Sequence, residues 1–192
     1  MLHPHTCLNR WHLKQAAQAV VQGGVIAYPT EAVFGLGCDP WNGEAVCRIL
    51  RLKRRSMAKG LIVIAVDLAQ IEPFVYFPSP VILNRVVSTW PGPVTWVLPA
   101  RAGVPRWLRG NYQSLAVRVT AHPTASSLCA EIGALVSTSA NPSGCIPARC
   151  VQRVRAYFNN ALDYIVPGAV GRGKGPTEIR DALSSTILRP GS

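Results

Sequence analysis

The sequence predicts an α/β fold, one domain in which helices pack on a largely buried mixed sheet. Three observations carry this. Short apolar runs of strand length alternate with longer stretches whose apolar residues recur at helical spacing. The 192 residues are 48% hydrophobic and 15% charged, enough for one core and far from a disordered composition. The sixteen prolines fall mainly at the ends of these runs. No repeat, low-complexity tract or linker divides the chain, so residues 1–192 read as a single domain.

The elements follow in order. Asn9 caps a first helix carrying Leu13, Ala16, Ala17, Val20 and Val21, and Gly23-Gly24 stops it. Residues 25–28, VIAY, form a strand. Pro29 has no N–H to give a ladder, so the strand ends there or lies at an edge. Tyr28 and Thr30 point to one side, Glu31 follows at the strand end, and Gly35 and Gly37 mark a loop that turns tightly or approaches a ligand. Asn42 caps a second helix with Val46, Ile49 and Leu50 inward and Arg48, Arg51, Arg54 and Arg55 outward. After Gly60, LIVIAV reads as a strand buried on both faces.

Ser79-Pro80 opens a helix running to about Thr89, which Trp90-Pro91-Gly92-Pro93 breaks. Residues 94–100 and 114–120 are strands, with RWLRGNYQ a basic connection between them. Residues 123–132 form a helix, and 134–140 a strand entering the turn NPSG. Val151, Val154 and Phe158 set a last helix; a glycine-rich loop at 168–175 and a strand around 185–188 complete the chain.

The net charge of +11 favours an anionic partner such as a nucleotide, pyrophosphate or RNA, although a soluble basic protein needs none. The N-terminal residues lack the apolar core of a secretory signal, and the longest aliphatic run, residues 61–66, is far short of a membrane span. The six cysteines sit singly, without a CxxC pair, and the four histidines are not at metal spacing from them. Reduced thiols in a cytoplasmic protein are the expectation.

There is no GxSxG elbow and no HExxH. The loop at 168–175 nearly spells a phosphate-binding P-loop. Gly175 stands where Ser or Thr is required, and Pro176 where a helix opens, so that reading is rejected. Arg172 and Lys174 either close over an anion there or decorate a surface loop.

Three features remain. Lys53-Arg54-Arg55 with Lys59 precedes the buried strand. With the helix ended by Lys53, an extended backbone turns Lys53 and Arg55 the same way, a point charge beside a planar fork that suits a polyphosphate. The same charges also complement a helix C-terminus. Ser137-Thr138-Ser139-Ala140-Asn141 ends a strand, with Ser139 and Asn141 sharing a side. This offers a neutral hydroxyl and amide to a ligand, or is a turn in which Asn141 caps its own backbone. Arg118, flanked by valines, needs an anionic partner, either a ligand or one of the nine acids of the chain.

The blocks YPTEAVFGLGCD, LKRR, KGLI, WPGPVT, AVRVTAHP, STSANPSG, EIRDA and ILRPG, in that order, resemble the YrdC/TsaC family of threonylcarbamoyl-AMP synthases. The resemblance runs from Gly24 to Gly191, within a core of about 9–191, and fits the short single-domain form. It implies a twisted mixed sheet with flanking helices and a concave basic face. It also implies a reaction in which L-threonine, bicarbonate and ATP give threonylcarbamoyl-adenylate and pyrophosphate. A separate transferase then moves the threonylcarbamoyl group onto a tRNA adenosine beside the anticodon.

Carried over by residue, the resemblance places Lys53 and Arg55 on the ATP phosphates, with Lys59 a second phosphate contact. Ser139 and Asn141 contact nucleotide, Ser137 sits beside it, and Arg189 reaches the nucleotide end. Thr30 lines the threonine pocket, and Arg118 pairs with the threonine carboxylate, with Ser114 nearby. Magnesium is expected on the ATP phosphates, with no protein metal cage and no organic cofactor. Ser56 stands where the family commonly has proline, and Pro142 where many members have leucine. A competing class is an RNA-binding module holding phosphates by charge alone, which also allows direct tRNA contact; no RRM or KH signature accompanies it.

Overall fold

A computed structural model describes residues 9–173 and 175–191. His3, His5, Cys7 and Lys174 lie outside the described residues.

Helix α1 (Arg10–Val21) starts where the Asn9 side chain accepts from Trp11 N. Strand β1 (Ile26–Pro29) follows, and an antiparallel partner, β2 (Phe34–Gly37), returns beside it. The sequence suggested a glycine loop at Gly35 and Gly37; it is a strand. Gly37 is required there because a side-chain Cβ would sit 2.6 Å from the Tyr28 ring. Helix α2 (Gly43–Lys53) is capped by Asn42.

Then come β3 (Ile62–Ala65), α3 (Pro80–Val87), β4 (Val94–Pro99), α4 (Arg106–Arg109), β5 (Ser114–Val119), α5 (Pro123–Ile132) and β6 (Leu135–Ser139). The basic connection RWLRGNYQ therefore contains a helical turn. The chain closes with α6 (Val151–Phe158), β7 (Tyr164–Ile165), β8 (Glu178–Asp181) and β9 (Ile187–Arg189).

The strands form one mixed sheet in the order β7-β1-β2-β6-β3-β5-β4-β8-β9. The pairs β1/β7, β3/β5 and β4/β8 are parallel; β1/β2, β2/β6, β3/β6, β4/β5 and β8/β9 are antiparallel. Side chains alternate across it, as the pleat dictates. Ala27, Phe34, Leu36, Val63, Trp96, Leu98, Val117 and Val136 pack on one face with Val46, Ile49 and Leu50 of α2, Val86 of α3, and Val154 and Phe158 of α6. Ile26, Tyr28, Ile64 and Leu135 pack on the other face with Ala16 and Val20 of α1 and Ala125, Leu128 and Cys129 of α5.

Helices α1 and α5 cover only part of this second face. Where they stop, the sheet presents Gly35, Ile62, Ala116, Arg118, Ser137 and Ser139, which line an open cavity. Small side chains keep this floor low. The described cysteines, Cys38, Cys47, Cys129, Cys145 and Cys150, are free. No helix among the described residues is long and apolar enough to cross a membrane.

Candidate active site

The cavity on the uncovered sheet face holds about 590 Å³. Among the predicted residues, Thr30, Arg55, Lys59, Ser114, Arg118, Ser137, Ser139 and Arg189 line it, together with Arg109. Five cationic side chains thus border it against one carboxylate, Asp181. That carboxylate is already engaged: its Oδ1 accepts from Leu183 N, Ser184 N and Ser184 Oγ.

Lys53 and Asn141 do not line the cavity. The sequence reading required Lys53 and Arg55 to share a side of an extended backbone. Instead Lys53 is the last helical residue, and Arg54 reverses the chain in the left-handed region (φ 50°). Arg55 N donates back to Leu50 O at 2.9 Å, closing the helix with an arginine where glycine is usual. The reversal separates the two side chains. Arg55 reaches the cavity and donates from Nη2 to Gly60 O at 3.0 Å. Lys53 turns inward, only 3% exposed. Its Nζ donates to Ser139 O and, at 2.9 Å, to Asn141 O, while Lys53 O accepts from Ser143 N at 2.7 Å. Burial, and then the nearby Arg55 charge, push the Lys53 ammonium down to about 8.

Asn141 is likewise turned into its own loop. Nδ2 donates to Cys145 O at 2.7 Å and Pro142 O at 3.0 Å. Ser139 and Asn141 therefore do not share a side: Ser139 lines the cavity and Asn141 braces the loop behind it. The two departures from the family pattern leave this intact. Ser56 accepts from Ala58 N and caps a short 3₁₀ turn (Met57–Lys59) that carries Lys59 to the cavity edge. Pro142 O simply joins the Asn141 bonds.

At the other end, Arg118 rises from the middle of the sheet, on β5. Nη1 donates to Thr177 Oγ1 at 2.9 Å and Thr95 Oγ1 at 3.3 Å, and Nη2 meets Glu31 Oε2 at 3.2 Å. The internal salt bridge allowed by the sequence is thus present, at a residue that still borders the cavity. Burial works to raise the Glu31 carboxyl, but Arg118 and the Thr120 hydroxyl outweigh it and hold the acid below the usual carboxylate range. Thr30 Oγ1 donates to Val33 O at 2.8 Å, fixing the turn between β1 and β2. Arg189 donates twice to Thr177 O. Burial, then the charges of Arg118 and Arg55, lower its guanidinium, so the three arginines share one field.

The described residues 166–173 and 175–177 lie between β7, at one sheet edge, and β8, next to the other, and form a strap at the floor's edge. Gly171 N donates to Thr30 O and Gly173 N to Glu31 O. His122 Nε2 donates to Ala169 O at 3.2 Å. The strap delivers Pro176 and Thr177 to the cavity. Arg172 is exposed on it and is not among the lining residues. Glu31, Thr95, Thr177 and Arg109 were not singled out as site residues from sequence. Only Glu31 carried a signal there, as an acid directly beside Thr30.

No three His, Cys, Asp or Glu side chains cluster among the described residues as metal ligands would.

The Sua5/YciO/YrdC family model, described as "Telomere recombination", matches residues 18–191. The chain belongs to that family. It is 54% identical over 184 residues to a threonylcarbamoyl-AMP synthase of Nitrosococcus oceani, covering 95% of this chain and 99% of that one. It is 50% identical to one of Pseudomonas aeruginosa, covering 95% and 99%. Sua5 of P. abyssi complexed with L-threonine superposes with a TM-score of 0.89 at 30% identity. That match covers 95% of this chain but 55% of the P. abyssi chain, so the present chain spans about half of that protein. YciO of E. coli matches with a TM-score of 0.83 at 25% identity, covering 95% of this chain and 90% of that one.

Proposed function

We propose that the chain is a threonylcarbamoyl-AMP synthase, forming threonylcarbamoyl-adenylate and pyrophosphate from L-threonine, bicarbonate and ATP. The observation that carries this reading is one cavity lined by two kinds of anion-binding group. Arg55, Lys59 and Arg189 supply charge for a triphosphate, and Arg118, Thr30 and Ser114 supply a carboxylate site with neutral hydroxyls. The family's curated relatives share the name of this activity at about half identity over the whole chain.

In this mechanism Arg118 binds the threonine carboxylate and Thr30 accepts from its amino group. The deprotonated amine attacks the carbon of bicarbonate, water leaves, and a carbamate forms. A carbamate oxygen then attacks the α-phosphorus, the bond to the bridging oxygen breaks, and pyrophosphate departs. No side chain at the floor is placed as a covalent nucleophile; the protein acts by positioning and by stabilising charge. Arg55, Lys59 and Arg189 hold the phosphates while Ser137 and Ser139 contact the nucleotide. Lys53 and Asn141 act from behind the cavity, holding the loop that carries Ser139. Magnesium enters as the counter-ion of the ATP phosphates.

One nine-stranded sheet carries Ser114, Arg118, Ser137, Ser139 and Arg189, and the segments flanking it carry the others, which supports a single catalytic domain. The adenylate passes to a threonylcarbamoyl-transferase acting on tRNA in the cytoplasm. The net charge of +11 supports direct tRNA contact at the basic cavity edge.

The test is incorporation of carbon-labelled bicarbonate into an adenylate, followed by mass spectrometry. A labelled product that requires both threonine and ATP is expected. Labelled product without threonine, or none with both substrates, would overturn the reading. Salt-sensitive RNA binding without any adenylate would favour a binding module instead.

A further inference from the structure

Glu31 is a buried carboxylate that the mechanism above leaves without a task. It sits in the turn between β1 and β2, and its side chain is 14% exposed. Oε2 accepts from Arg118 Nη2 at 3.2 Å, and Oε1 accepts from Thr120 Oγ1 at 2.6 Å. Its partner is buried more deeply, the Arg118 side chain being 4% exposed.

Three features distinguish this pair from a salt bridge that only stabilises the fold. The first is charge. Arg118 shares the cavity with Arg55 and Arg189, and among the described residues Glu31 is the only carboxylate ion-paired with any of the three. The second is fixation. Both carboxylate oxygens are engaged, and the strap clamps the backbone of the turn through Gly171 N on Thr30 O and Gly173 N on Glu31 O. The third is the form of the grip on Arg118. Thr95 and Thr177 hold Nη1 with neutral hydroxyls, Glu31 holds Nη2 with charge, and Nε is buried without an acceptor.

We infer that Glu31 is a positioning residue for threonine recognition, holding Arg118 balanced and correctly oriented so that the substrate carboxylate meets an ordered guanidinium. This rests on the reading of Arg118 as the carboxylate-binding group. Without Glu31, a buried guanidinium would face two like charges with no compensation, and it would shift toward water. Threonine would then have to order the side chain as it bound, which weakens binding. Arg55 and Arg189 make their hydrogen bonds to Gly60 O and Thr177 O, not to this pair.

The experiment is a double-mutant cycle on the full chain, reading KM for threonine and KM for ATP from pyrophosphate release. The variants are Glu31→Gln, Arg118→Lys and both together. Glu31→Gln should raise KM for threonine about tenfold or more. KM for ATP should stay within about twofold. In the Arg118→Lys background, Glu31→Gln should add less than about a further twofold, because its effect passes through Arg118. Glu31→Asp, keeping the charge on a shorter stem, should recover part of the loss. Should Glu31→Gln fail to fold, Thr120→Val, which frees Oε1 and keeps the charge, should give a smaller rise in the same direction through the same cycle. An unchanged KM for threonine, an equal rise in both backgrounds, or an equal rise in KM for ATP would each overturn the inference. Arg118→Lys leaving KM for threonine untouched would instead overturn the carboxylate site itself.

Discussion

Lys53 shows how much one side chain can decide at this site. Its ammonium spends its hydrogen bonds on the carbonyls of Ser139 and Asn141, and so ties the end of α2 to the loop after β6. The charge is kept there against burial, at a pKa lowered from 10.5 to about 8. The sign follows from linkage. Below pH 8 both folded and unfolded chains hold the proton, and the burial penalty is present in full. Between pH 8 and 10.5 the folded chain releases it first, so the penalty is relieved and stability rises with pH. Lys53→Met removes this proton and takes the lysine donor from Asn141 O, while Ser139 O keeps its bond from Asn141 N. It should lower stability at pH 7 by about 1–3 kcal/mol. Urea melts should also show wild type gaining on the variant as pH climbs from 8 to 10. A stability difference that stays flat across that range would contradict the assignment.

At the scale of elements, the cavity exists because two helices end early and a strap crosses the sheet. The strap depends on glycine at one place above all. A Cβ on Gly171 would lie 2.5 Å from the Glu31 carbonyl oxygen. Gly171→Ala should therefore lift the strap off the turn, at a cost of about 1–3 kcal/mol. The melting temperature should fall by several degrees, and KM for threonine should rise because Thr177 and Glu31 both move. A variant with unchanged melting and unchanged KM would show that the strap has slack the structure does not suggest.

The elements also show where sequence patterns inform and where they stop. Helices α1, α2 and α5 and strands β1, β3, β5 and β6 were legible because apolar period and capping residues agreed. Strand β2 was hidden because FGLG carries the glycines of a loop, placed there to pass the Tyr28 ring. Strand β8, EIRD, shows no apolar alternation and gains its place from pairing with β4. The opposite facing of Lys53 and Arg55 was illegible for a different reason. It turns on a left-handed Arg54, a conformation that composition does not announce. Many of the residues that line the cavity, by contrast, were named from sequence: Thr30, Arg55, Lys59, Ser114, Arg118, Ser137, Ser139 and Arg189.

At the scale of the whole molecule, a nine-stranded sheet brings together residues from both ends of the chain, Thr30 and Arg189 among them. Trp96 and Leu98, buried on the opposite face, back the same sheet against α2, α3 and α6. Of the twenty Lys and Arg of this chain, five border the cavity, against one lining carboxylate, Asp181. This is the arrangement expected of a protein that holds a polyanion and an amino acid side by side. The central claim is that both occupy the cavity in one reaction. Pyrophosphate release from ATP by the purified chain, measured with and without threonine and bicarbonate, tests it most directly. Release that appears only when both are added is the predicted result; release that ignores threonine, or no release with all three present, would contradict it.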